Sequence, residues 1–192
     1  VAQGAQAGAS PQDVARQVDV LITCLLTPAQ CEQIFLGDEG AIHGARAGQI
    51  FIDMATIDPM TTRRIAAALA ANGVALIDAP ISGGPKGAAE GTLSIMAGGE
   101  AAAFEKVRPL LAVLGSKIFH MGPAGCGVSA KICNQILTGT NHATSPTLIP
   151  DAGFDYDRDL APVTMVAEAN MLLVAHPSLP ANNVGELVAL AK

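Results

Sequence analysis

Apolar residues along this chain follow two rhythms. Short, nearly unbroken runs rich in Val, Ile and Leu occur at VDVLITCLL (residues 18–26), GQIFIDM (48–54) and VALID (74–78), and they read as strands buried on both faces. Between them lie segments with helical punctuation. Ser10 and Pro11 open the first, Pro28 opens the second and Gly37 closes it, and Asp58 with Pro59 opens the third, which Gly73 closes. Further on, TLSIMAGG (92–99) reads as a strand and EAAAFEKVRPLLAVLG (100–115) as a helix. SKIFHMG (116–122) reads as a strand, and AGCGVSAKICNQIL (124–137) as a helix behind a glycine-rich turn. Strands alternating with helices across short Gly/Pro turns predict an α/β fold with a doubly wound parallel sheet.

The rhythm stops near residue 137. TGTNHATSPTLIPDAGFDYDRDLAP (138–162) is irregular, and two strand-like runs and a terminal helix follow. A boundary is therefore expected at 137/138. Five Phe, one Tyr and no Trp make the core aliphatic and argue against stacking on bases. A net charge of -6 without a basic cluster makes nucleic acid a poor partner. No run approaches a membrane span, so no membrane partner is expected. The four cysteines form no CxxC pair and no metal-ligand spacing, and no secretory leader is visible at the N-terminus. Both points lead to a cytoplasmic expectation.

Three places carry candidate chemistry. Ser82, Gly83 and Gly84 follow VALID, where ligands sit in an open parallel sheet. A hydroxyl beside approachable backbone N–H groups suits a carboxylate, and a plain connecting turn is the alternative. Lys131, Asn134 and Gln135 lie at i, i+3 and i+4, so one helix face presents an amine and two carboxamides. That set suits proton exchange with a substrate hydroxyl, and a solvated surface lysine is the alternative. Asp53, Thr56 and Asp58 follow a strand end, placed to meet a ligand or to cap the next helix, with capping the default for Asp58.

GAQAGASPQDVARQVDVLITCLL, GQIFIDMATIDP, DAPISGGPKGAAEGTLSIMAGG and GPAGCGVSAKICNQIL occur in an order that resembles the β-hydroxyacid dehydrogenases. The resemblance covers residues 1–137 and implies a partial NAD(P)-binding dehydrogenase domain, an incomplete Rossmann-like sheet with a short α/β C-terminal appendage. It implies NAD or NADP as cofactor and a small carboxylate as substrate, with hydride exchanged at a 3-hydroxy acid or its semialdehyde. It assigns the substrate carboxylate to Ser82, Gly83 and Gly84. It assigns catalysis to Lys131 with Asn134 and Gln135, and the cofactor lining to Leu25, Leu26 and Thr56. Gln135 and Ala55 depart from the asparagine and serine usual in that family. The family's first Gly-rich βα unit and its helical C-terminal domain are not seen. The edge of VDVLITCLL is then expected to be exposed and to promote self-association. Residues 138–192 resemble a fragment of the solute-binding receptors of tripartite tricarboxylate transporters. A fused or truncated inactive product, or a receptor fragment, are the alternatives to an enzyme.

Overall fold

Three of the predicted helix starts are made by a side-chain cap of the kind their sequences call for. In the computed structural model, which describes residues 4–135, the Asp13 N–H donates to Ser10 Oγ at 3.2 Å and opens α1 (Pro11–Gln17). Thr27 and Gln30 form a reciprocal capping box at the start of α2 (Pro28–Leu36). The Thr61 N–H donates to Asp58 Oδ1 at 2.8 Å and opens α3 (Pro59–Ala70), so Asp58 is a cap.

The strands are β1 (Val20–Thr23), β2 (Ile50–Asp53), β3 (Ala75–Asp78), β4 (Ile81–Ser82), β5 (Ser94–Gly98) and β6 (Lys117–Gly122). β1 is shorter than the apolar run that predicts it: Cys24 to Leu26 lie beyond the strand, and the Leu26 N–H donates to Gln30 Oε1 of α2 at 3.2 Å. β1, β2 and β3 run parallel in that order, and α5 (Ala101–Leu114) carries the chain from β5 to a parallel β6.

The expectation of a wholly parallel sheet is corrected at one place: β5 lies antiparallel to both β3 and β4. The cause is the stretch between them. The chain from β3 through β4 stays extended, about 26 Å for eight residues. The following helix, α4 (Gly84–Glu90), has seven residues and spans only about 10 Å. It cannot return the chain to the strands' starting edge, so β5 comes back in the opposite direction. As sequence alone this stretch reads as a turn. Pro85 near the start and Gly91 in the left-handed region at the end are the same start and stop signals used for the other helices.

Alternate strand residues feed two cores, one on each face of the sheet. Phe51 and Leu76 join Cys31, Phe35, Ile65 and Leu69 of α2 and α3. Ile50, Ile52, Ile77 and Ile95 join Phe104, Val107 and Leu111 of α5. Helices thus cover both faces, as a doubly wound sheet requires. Among the described residues β1 pairs only with β2, and its Ile22 is 42% exposed. The 137/138 boundary and the reading of 138–192 lie outside the described residues.

Candidate active site

The parallel strands β1, β2 and β3 end at the same edge of the sheet, and most of the candidate residues gather there. Leu25 and Leu26 follow β1, Thr56 follows β2, and Ser82 to Gly84 follow β3. Leu25 is half-buried against the core, Leu26 is 87% exposed, and Thr56 is exposed. Ser82 is half-buried and pairs with Ser94 across β4 and β5. Gly83 and Gly84 are exposed and have φ of 134° and 61°, a region that favours glycine. A Cβ added to Gly84 would meet nothing within 4 Å, so the space over its backbone is open.

The ends of β2 and β3 each carry a buried carboxylate, and the two are register partners. Asp53 accepts from Thr23 Oγ1 at 2.9 Å and from the Ala55 N–H at 3.1 Å. It therefore shapes the loop that presents Thr56, with its own carboxylate turned into the protein. Burial pushes Asp53 above the usual carboxylate range against the pull of these bonds. Burial, with Asp53 beside it, also pushes the Cys31 thiol up to about 12, so this cysteine is a poor nucleophile.

Asp78 is fully buried, and its partners are distant in sequence. Oδ1 accepts from the Gly125 N–H at 2.8 Å, and Oδ2 accepts from the Val128 N–H at 2.9 Å. These donors belong to the entrance of α6, which is helical from 126 through 135. Asp78 thus brings the start of the lysine helix to the sheet edge. Burial raises its pKa as well, although both N–H groups favour the charged form.

Lys131 lies one turn beyond Val128 and is only 7% exposed. Burial lowers its pKa from the ordinary lysine value. Asn134 and Gln135, the last described residues, are exposed. The helix spacing is as predicted, and burial distinguishes the lysine from the two amides. Asp78 is absent from the candidates that the sequence offers. Its signal was a carboxylate closing an otherwise apolar strand, in a position where a buried charge needs a partner.

The arrangement offers an open glycine turn and a buried lysine of lowered pKa, with Leu25 and Leu26 after β1 and Thr56 after β2 at the carboxyl edge of the parallel strands. Residues 1–122 match the family described as the NAD binding domain of 6-phosphogluconate dehydrogenase. The 2-(hydroxymethyl)glutarate dehydrogenase of Eubacterium barkeri is 42% identical over 144 residues, 75% of this chain and 48% of that one. The NAD-dependent L-serine dehydrogenase of Pseudomonas aeruginosa is 44% identical over 137 residues, 71% of this chain and 46% of that one. Among solved structures, a 3-hydroxyisobutyrate dehydrogenase from Salmonella typhimurium superposes with a TM-score of 0.68 at 34% identity. That superposition covers 81% of this chain and 56% of the other. The chain belongs to the family of the NAD binding domain of 6-phosphogluconate dehydrogenase, and it spans about half the length of the curated relatives it matches.

Proposed function

We propose, from membership of this family, that the chain carries the substrate-facing part of an NAD- or NADP-dependent dehydrogenase for a small hydroxy acid. The observation that most supports this is Lys131: an amine that is buried and of lowered pKa, on a helix whose entrance is docked at Asp78, on the strand that leads to the Ser82–Gly84 turn. Relatives are named for substrates that each bear a carboxylate and a hydroxyl, and the turn suits the first group while Lys131 suits the second.

In this reading Ser82 Oγ and the Gly83 and Gly84 N–H groups hold the substrate carboxylate. Leu25, Leu26 and Thr56 would line the nicotinamide, and the exposure of Leu26 and Thr56 leaves room for it. The bound dinucleotide supplies the hydride acceptor. Lys131 Nζ, neutral at the start, takes the hydroxyl proton as the carbon loses its hydride, and returns it in the reverse direction. Asn134 and Gln135 orient the hydroxyl. The lowered pKa serves this step, because an ordinary lysine near pH 10.4 is almost wholly protonated at neutral pH.

The test is titration of the full chain with NADH and with NADPH, followed by nucleotide fluorescence, then reduction of a small semialdehyde acid by the tighter nucleotide. Saturable binding and turnover are expected, and Lys131→Ala should reduce turnover by about 10²–10⁴-fold. No saturable binding of either nucleotide overturns the proposal, and full turnover in Lys131→Ala removes the lysine from it.

The same reading takes the chain as cytoplasmic, with all four cysteines free. Among the described residues no helix is long and apolar enough to cross a membrane. It takes the exposed Val14 and Ile22 beside β1 as a self-association surface, which sedimentation at rising concentration tests. Residues 138–192 enter it as a segment of solute-binding-receptor ancestry joined to the dehydrogenase part.

A further inference from the structure

We propose that Asp78 is a positioning residue that fixes Lys131 relative to the Ser82–Gly84 turn. The proposal rests on the role given above to Lys131, and on the geometry of one carboxylate.

The first N–H groups of a helix have no partner within it. In α6 two N–H groups at its entrance, Gly125 and Val128, are satisfied from another element, by the two oxygens of Asp78. The linkage spans 47 and 50 residues of chain and is buried throughout. Carboxylates favour a helix N-terminus for electrostatic reasons also.

Close backbone approach makes the contact possible. A Cβ on Gly98 would lie 2.6 Å from Asp78 Oδ1 and 2.7 Å from the Gly127 N–H nitrogen. A Cβ on Gly127 would lie 2.6 Å from the Asp78 carbonyl oxygen and would also strike the Met96 carbonyl oxygen. Two glycines thus let the helix entrance touch the strands directly, with the carboxylate between them. A rigid backbone contact of this kind leaves little freedom for the helix to slide.

Asp78 also belongs to the chain that leads to the turn. From it, Ser82 lies four residues along an extended strand, about 13 Å. Lys131 lies three residues beyond Val128, about 5 Å along the helix axis. One side chain therefore sets the origin for both the carboxylate grip and the proton-exchanging amine. A shift of about 1 Å between such groups is enough to cost a large factor in rate.

The test is Asp78→Asn in the full chain. The amide keeps the shape and loses the charge and one acceptor. The readout is the pH dependence of acetic-anhydride labelling at Lys131, measured by mass spectrometry against the exposed Lys86. This reads the lysine whether or not the chain turns over substrate, so it separates this proposal from the one above. Release of the helix should expose Lys131 and move the midpoint of its labelling to higher pH, because the burial that lowers its pKa is relieved. A folded Asp78→Asn with unchanged Lys131 labelling overturns the proposal. Should the variant fail to fold, amide hydrogen exchange of the native chain decides. Gly125 and Val128 should exchange as slowly as Val107 and Leu111 in α5, and exchange at the rate of a fraying helix end overturns it.

Discussion

The ends of β2 and β3 look alike and do different work. Asp53 and Asp78 close neighbouring parallel strands in register, both are buried, and burial pushes both above the usual carboxylate range. Asp53 takes its N–H from a residue two positions on and its hydroxyl from the adjoining strand. Asp78 takes both of its N–H groups from a helix about fifty residues downstream. One residue type at one register position thus shapes a loop on β2 and docks an element on β3. The end of β2 should therefore tolerate change that the end of β3 does not, because only the latter holds two parts of the candidate site together.

The sharpest way to break this comparison is to truncate each carboxylate. Asp78→Ala leaves two buried N–H groups without an acceptor, and about 3 kcal/mol of stability should be lost. Asp53→Ala leaves one N–H group and a threonine hydroxyl that can turn to another acceptor, and the loss should be about 1–2 kcal/mol. Urea midpoints of the two variants check this. Equal losses would mean that the distant linkage adds nothing to the local one.

The same contrast explains what the sequence made legible. Helix starts at Ser10, Pro28 and Asp58 were readable because cap and capped residue lie within four positions. The placing of Thr56 and Ser82 at one edge is legible because alternation of strand and helix dictates it, whereas Leu25 lies within a predicted strand run and enters only through the family resemblance. The reversed strand β5 was not, since its direction depends on the length of α4, and that depends on a Pro85–Gly91 signal hidden among glycines. Asp78 heads a glycine-rich stretch, and its partners at Gly125 and Val128 have no local pattern that points back to it. Lys131 was singled out by helix spacing, which also grouped it with Asn134 and Gln135. Its burial and their exposure come from packing that spacing does not encode.

A smaller effect separates the two glycine sites that flank the β3 end. Gly98→Ala would press a methyl onto Asp78 Oδ1 and the backbone of Gly127, and should cost about 2 kcal/mol as the α6 entrance is pushed away. Gly84→Ala meets open space, and its φ of 61° alone makes it costly, by about 1 kcal/mol. Thermal unfolding of both variants checks the order. A Gly84→Ala loss that exceeds that of Gly98→Ala would show that the turn, and not the helix contact, is the tighter point of the site.

The smallest effect lies in pH. A carboxylate whose pKa is raised by folding binds its proton more readily in the folded state. Its stabilising contribution is then fully present below the ordinary carboxylate value, about 3.9, and is lost as pH rises through the folded pKa. Asp53 belongs to this class, with burial as the cause. Asp58, exposed at the start of α3, belongs to the opposite one, because its bond to the Thr61 N–H lowers its pKa. Its contribution is present above the ordinary value and is lost as pH falls through the folded one. Substitution by Asn removes each titration while keeping a polar side chain. The stability of the native chain relative to Asp53→Asn should therefore increase as pH falls from neutrality. Relative to Asp58→Asn it should stay level to about pH 5 and decline below that. Urea midpoints across that range read both differences. If the Asp53 difference instead falls with acid, the hydrogen bonds at the end of β2 outweigh burial, and the parallel drawn between the two strand ends fails on its electrostatic side.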